Sequence, residues 1–155
     1  MLIAGGRRQG RGQGFGWLPT AAAALVALAT VVLLPRSAGL AAAVPLGAER
    51  FSEPRLAALR RERRPVFAYF TADWCLTCKV NEKGAIETGG VRDAFARNRV
   101  AVLVGDWTDG DPALGRFIAA HNRAGVPLYL FYPAGGGEPK VLPQVLTPGM
   151  LEALR

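Results

Sequence analysis

Histidine, cysteine and repeated motifs are scarce in this 155-residue chain, and each scarcity closes off a class of function. There is one histidine, His121, and there are two cysteines, Cys75 and Cys78. A structural zinc site takes four ligands, so two thiols and one histidine leave zinc only to a dimer. A second CxxC pair would complete such a set, and the sequence has none. Two soft thiolates do suffice for a two-coordinate copper(I) carrier, and that reading stays open. Two cysteines also allow a single intramolecular disulfide, whereas small secreted domains that depend on cross-links carry several. A bridge between Cys75 and Cys78 closes too short a loop to stabilise much by chain entropy. His121 is read as a helix-end residue bonded to backbone or water. No internal repeat is visible.

Acid is missing from one part of the chain. All 12 acidic residues lie beyond Ala48, while Arg7, Arg8, Arg11 and Arg36 lie before it. The formal charge of +7 therefore falls to 15 minus 12, or +3, from Ala48 onward. The densest basic run, "RRERR" at 60–64, carries its own glutamate and no interleaved aromatics. It reads as the solvated end of a helix, and no nucleic-acid partner is expected.

Residues 1–16 form a basic, glycine-rich segment that leads into an apolar stretch over 17–35. From Trp17 to Leu34 there are 18 residues without a charge, near the lower limit for crossing a bilayer roughly 30 Å thick. A core helix of a small domain needs a polar face, and this run has none. It is either a transmembrane anchor or a secretory signal with "AAAV" at 41–44 near the cleavage point. The anchor is preferred: the basic stretch is long for a signal, and Trp17 sits where an interfacial aromatic would. The run also fits the last span of a longer polytopic protein. Residues 36–47, small and proline-containing, read as a linker, which leaves 48–155 as the domain.

Within the domain, Ser52 is placed to cap a short helix bearing Leu56 and Leu59. "PVFAYFT" at 65–71 reads as a buried strand, "CLTCKVNEKGAI" as a helix, "GVRDAFARN" at 90–98 as another, and "VAVLVGD" at 100–106 as a second buried strand. Asp111 and Pro112 start the next helix. "VPLYLFY" at 126–132 is a third strand, "KVLPQVL" a weak edge strand broken by Pro143, and Thr147–Pro148 opens a last helix running to Arg155. The order predicts an α/β sandwich, a small mixed sheet covered on both faces. Pro127 at a strand entrance is the odd feature, because proline donates nothing to a ladder.

If Cys75 lies where strand turns to helix, its sulfur faces free N–H groups and the positive end of the helix dipole, both of which favour thiolate. Cys78, one turn on, lies on the same face and deeper. The geometry suggests that Cys75 attacks a partner's disulfide and that Cys78 resolves the mixed disulfide, with no cofactor beyond the sulfur pair.

"FTADWCLTCK", with Pro127 of "GVPLYLFY" lying 52 residues beyond Cys75, resembles the thioredoxin superfamily. The span from Phe51 to Arg155 is most similar to the carboxy-terminal periplasmic domain of DsbD-type thiol:disulfide interchange proteins. The resemblance implies a thioredoxin-like three-layer fold and a protein-disulfide reductase. Cys75 would be the nucleophile, Cys78 the resolving cysteine, and Val126–cis-Pro127 the edge that pairs with an extended substrate. Trp74, Tyr69 and Glu82 would be supporting residues, Glu82 as an acid near the sulfurs that raises the thiol pKa or takes the Cys78 proton. Tyr69 departs from the family, which commonly has a buried aspartate there, and a phenol is a poor proton acceptor at neutral pH. The implied partners are a membrane-embedded electron donor and disulfide-containing proteins. The implied location is the periplasmic face of a bacterial inner membrane, or the periplasm itself if the apolar segment is cleaved. If the chain is whole, its electrons come from a separate membrane protein. Alternative readings are a thioredoxin-like protein of cytochrome c maturation, for which a dedicated acidic insertion is not seen, a non-catalytic peptide-binding module, and the metal carrier.

Overall fold

The computed structural model describes residues 47–155. The segments 1–16 and 17–35 and nearly all of the 36–47 linker lie outside these residues. No helix among the described residues is long and apolar enough to cross a membrane.

Ten strands and α-helices follow one another among the described residues: β1 (Ala48–Arg50), α1 (Glu53–Arg61), β2 (Val66–Thr71), α2 (Leu76–Asn81), α3 (Gly89–Arg97), β3 (Ala101–Asp106), α4 (Pro112–Ala120), β4 (Leu128–Tyr132), β5 (Lys140–Val141) and α5 (Pro148–Glu152). The five strands form one mixed sheet in the order β1-β3-β2-β4-β5. β1, β3 and β2 run parallel, β4 is antiparallel to β2, and β5 is antiparallel to β4. Every residue of the central strand β2 is buried.

Alternation along β2 decides which helix layer each side chain meets. Val66, Ala68 and Phe70 join Leu56 and Leu59 of α1 and Ile118 of α4 in one core. Phe67 and Tyr69 join Val91 and Phe95 of α3 and Leu151 of α5 in the other. Fully burying one such Phe or Leu side chain stabilises the fold by about 1.5–3 kcal/mol. On the first face Phe51, Phe70 and Phe117 meet with centroids 4.7–5.1 Å apart. Gly105 belongs to that packing, because a Cβ there would sit 2.5 Å from a ring carbon of fully buried Phe70.

Helix starts follow their sequence signals. The Ser52 hydroxyl accepts from Arg55 N–H at 3.3 Å, Asp111 Oδ1 from Ala113 N–H at 2.7 Å, and the Thr147 hydroxyl from Met150 N–H at 3.4 Å. The differences from expectation have local causes. β1 has only three residues and no visible alternation, and it exists because it pairs with β3. The helix expected over 75–86 is α-helical only to Asn81 and then widens to a π turn over Glu82–Ile86, in which Glu87 N–H bonds the Glu82 carbonyl. Gly84 sits inside that turn with open space around it, and glycine holds α geometry less firmly than alanine by about 1 kcal/mol. β4 begins after Pro127, which has no N–H to pair, and the last helix stops at Glu152. β5 keeps two residues before Pro143 ends the pairing.

The chain has three tyrosines, and all three are buried in the sheet. Burial pushes the phenols of Tyr129 and Tyr132 up to about 12, and raises Tyr69 as well. An unfolded phenol ionises near pH 10, so the unfolded chain releases protons that the fold retains. Stability should therefore be intact below about pH 10 and be lost progressively as pH climbs toward about 12. Absorbance titration of the phenolate band, run beside circular dichroism, checks this. The expected result is that phenolate appears only together with unfolding; a phenolate step near pH 10 in folded protein would contradict it.

Candidate active site

β2 ends at Thr71, and the chain turns through Ala72, Asp73 and Trp74, closed by a bond from Cys75 N–H to the Ala72 carbonyl at 3.1 Å. That turn delivers Cys75 as the N-cap of α2, its sulfur accepting from Cys78 N–H at 3.2 Å. A disulfide joins Cys75 and Cys78, with Cα atoms 5.2 Å apart. Cys78 is the deeper sulfur at 1% exposure, against 7% for Cys75. Ala72 and Val126 pack against the pair. The Val126–Pro127 peptide is cis, and Pro127 is buried where β4 begins. The structure thus brings Cys75, Cys78 and Val126 together from two distant parts of the sequence.

Four side chains from the end of β2, the turn and α2 form a polar group next to the cysteines in sequence. Glu82 is buried, and each of its carboxylate oxygens has a donor: the Thr71 hydroxyl on Oε1, and Lys79 Nζ at 3.2 Å on Oε2. Lys79 also reaches Asp73 at 3.3 Å. Burial alone would lower the Lys79 ammonium, but the hydrogen bonds and charges of Glu82 and then Asp73 override it and raise its pKa. A buried carboxylate without partners costs several kcal/mol, so this pairing is what lets Glu82 sit beneath the sheet end. Tyr69 is inside the core, stacked on Phe67 with centroids 5.8 Å apart. Burial first, and the charge of Glu82 second, hold its phenol protonated. Tyr69 therefore cannot serve as a proton acceptor at neutral pH.

Three supporting residues escaped the sequence reading. Thr71 reads in sequence only as the end of a strand, although it lies two residues from Tyr69 and so on the same face. Asn81 is buried and makes three bonds, donating to the Tyr129 hydroxyl at 2.8 Å and the Gln144 carbonyl at 2.7 Å and accepting from Leu146 N–H at 3.0 Å. Asparagine inside a helix is a poor helix former, and that was the available signal. Thr108, in the loop after β3, accepts from Asp73 N–H at 2.9 Å on its hydroxyl and from the Trp74 indole at 3.2 Å on its carbonyl. Trp74 remains 61% exposed, its ring 6.2 Å from that of Trp107. His121 lies outside this group, at the end of α4, where Nδ1 donates to the Phe117 carbonyl at 2.8 Å.

Chemically, the site presents a cysteine pair at a helix start, an outer and an inner sulfur, and a cis-proline edge beside them. A family model described as thioredoxin-like matches residues 48–134. The curated thiol:disulfide interchange protein DsbD 1 of Pseudomonas aeruginosa is 32% identical over 103 residues, which is 64% of this chain and 17% of that protein. The chain thus spans less than a fifth of that relative. Among solved structures, the oxidised DsbD C-terminal domain of Neisseria meningitidis superimposes with a TM-score of 0.54 at 20% identity, covering 67% of this chain and 94% of that one. A thioredoxin from Thermus thermophilus gives 0.53 at 19%, covering 68% and 82%. At these identities the structural likeness shows the fold alone.

Replacing Thr71 by valine removes one of the two donors to the buried Glu82 carboxylate. Thr71→Val should lower stability by about 1–3 kcal/mol, while Thr71→Ser, which keeps the hydroxyl, should stay near wild type. Urea denaturation of both variants measures the difference. Equal midpoints for the two would mean that the Thr71 hydroxyl does not hold the carboxylate.

Proposed function

We propose that this chain, which belongs to the thioredoxin-like family, is a thiol:disulfide oxidoreductase that works as a protein-disulfide reductase. The observation that carries the proposal is the Cys75–Cys78 disulfide at the start of α2 with Val126 packed against it. In the reduced protein the Cys75 thiolate attacks one sulfur of a substrate disulfide, and the other substrate sulfur leaves as a thiolate. The Cys78 thiolate then attacks Cys75 Sγ and expels the second substrate thiolate, closing the Cys75–Cys78 bond. Two electrons pass from the protein to the substrate. A donor dithiol restores the pair by the same exchange in reverse.

Each supporting residue has a part in this reading. Cys75 Sγ, facing the N–H groups at the start of α2, is held as the better thiolate. Glu82, one turn beyond Cys78 and already ion-paired, takes the Cys78 proton directly or through water, since Tyr69 is held neutral. The backbone at Val126, fixed by Pro127, pairs with an extended segment of the substrate. Trp74, anchored through Thr108, forms the exposed rim beside the sulfurs.

The reducing direction, the membrane-embedded donor and the periplasmic setting draw their support from the likeness to the DsbD protein. The apolar run over 17–35 supports a tether to the membrane or an export signal.

Equilibrating the protein with dithiothreitol and glutathione couples, then counting alkylated thiols by mass, gives the reduction potential. A reductase should lie well below about −180 mV; a value near about −120 mV would make the chain a disulfide donor. Cys75→Ser should abolish reduction of a disulfide substrate. Cys78→Ser should accumulate mixed disulfides through Cys75 on non-reducing gels. Normal turnover by Cys78→Ser with nothing trapped would rule out the two-cysteine route.

A further inference from the structure

Charge is segregated between the two ends of the domain. β1, β2 and β3 run parallel, and β2 points its carboxyl end at Cys75, so the amino ends Ala48, Val66 and Ala101 share the opposite pole. α1 and α3 both finish at that pole, because each leads directly into the start of a strand. They bring Arg60, Arg61, Arg63, Arg64, Arg97 and Arg99 there, all exposed except half-buried Arg64. Arg60 donates to the Gly137 carbonyl at 2.8 Å and lies over the Tyr132 ring. None of the six is in an ion pair among the described residues. Glu62 interrupts the run in sequence, Glu138 follows the glycine that Arg60 bonds, and Glu49 of β1, ion-paired with Arg55, also feels the charge of Arg64. The dithiol pole has the opposite balance: Asp73, Asp106, Asp109 and Asp111 surround the Cys75 turn and the end of β3, with Lys79 as the counter-charge.

Complementing a helix dipole accounts for Arg60, Arg61 and Arg97, which lie in last turns. It does not account for Arg63, Arg64 and Arg99, which lie beyond the helix ends. Arg63 and Arg99 even occupy left-handed backbone positions, φ 53° and 55°, where glycine or asparagine is the usual choice. The second observation is where the chain enters. Ala48 is at this same pole, and thirteen residues, 35–47, separate it from the uncharged run that ends at Leu34, at most about 45 Å of chain.

We propose that this arginine-rich pole is a docking surface for anionic lipid headgroups, which turns the Cys75 face away from the bilayer. The orientation is favoured twice, by attraction of the arginine pole and by repulsion of the acidic dithiol pole. In the docked state the cysteines stand beyond the length of β2, more than about 17 Å from the pole. They then face soluble disulfides, and exchange with a donor dithiol at the bilayer surface requires release from the lipid. The orientation rests on the reading of 17–35 as a membrane segment, while the lipid affinity of the pole does not.

The test uses the full chain with phosphatidylcholine vesicles, with or without phosphatidylglycerol, and labels arginines with phenylglyoxal for residue-level mass spectrometry. Phosphatidylglycerol should slow labelling of Arg61, Arg63, Arg97 and Arg99 by at least about tenfold and leave Arg116, exposed on α4 just beyond the carboxyl end of β3, unchanged. Salt at about 1 M, where the screening length is about 3 Å, should abolish the protection. Equal labelling on both vesicle types, or equal protection of Arg116, overturns the proposal. The same protection from RNA or inorganic phosphate without vesicles overturns it too, making the pole a general polyanion site. An alkaline wash of the vesicles separates the two readings. A chain that washes off yet shows pole-specific protection loses the anchor and keeps the docking surface; one that stays with uniform labelling does the reverse.

Discussion

β2 is held on both sides, parallel to β3 and antiparallel to β4, and both of its faces are buried. A strand in that position has no freedom of register, because a shift of one residue would move Phe67 and Tyr69 into the space of Ala68 and Phe70. The same register aims Thr71, the last residue of the strand, at the face on which Glu82 arrives from the π turn. Two hydrophobic cores thus position a polar contact that neither contains. The turn that follows has nowhere to go except over the sheet end, and there it becomes the start of α2 at Cys75.

Around that end the polar side chains are tied in pairs and networks. Lys79 bridges Asp73 and Glu82, Asn81 fastens the end of α2 to Tyr129 and to the 144–146 segment, and Thr108 holds the backbone of Asp73 and the indole of Trp74. Among the described residues no buried side-chain nitrogen or oxygen lacks a partner. Such satisfaction keeps buried polar groups from costing the fold and fixes their geometry, which is what a dithiol site needs from its surroundings. The apolar rim is different in kind. Trp74 stays exposed although its indole is anchored, and Leu76 stands exposed between the cysteines. Apolar surface kept in water at the edge of a reactive pair suits contact with another protein.

The polarity of the domain follows from the same topology. Three parallel strands with helices returning between them put strand amino ends and helix carboxyl ends at one pole, and the reactive turn at the other. Arginines collect at the first pole and aspartates at the second. A charge distribution so divided gives the molecule a direction in an external field, whereas its net charge of +3 from Ala48 onward would not.

Much of this was legible in one dimension. The strand cores, the capping residues Ser52, Asp111 and Thr147, and the pairing of "WCLTC" with a proline before a strand depend on spacing and local chemistry, which a chain carries without folding. β1 was not legible, because three residues become a strand only when β3 lies beside them. The Thr71–Glu82 contact and the triple role of Asn81 were hidden for a similar reason: their partners are 11 to 65 residues away, and a helical asparagine or a strand-end threonine does not say which distant groups it bonds. The "RRERR" run reads locally as a solvated helix end, which it is; that Arg97 and Arg99 share its pole follows from strand direction alone. Hydrophobic period, capping and motif spacing are short-range properties and survive in the sequence, while register, burial of polar groups and the grouping of charge arise only when distant strands are laid side by side.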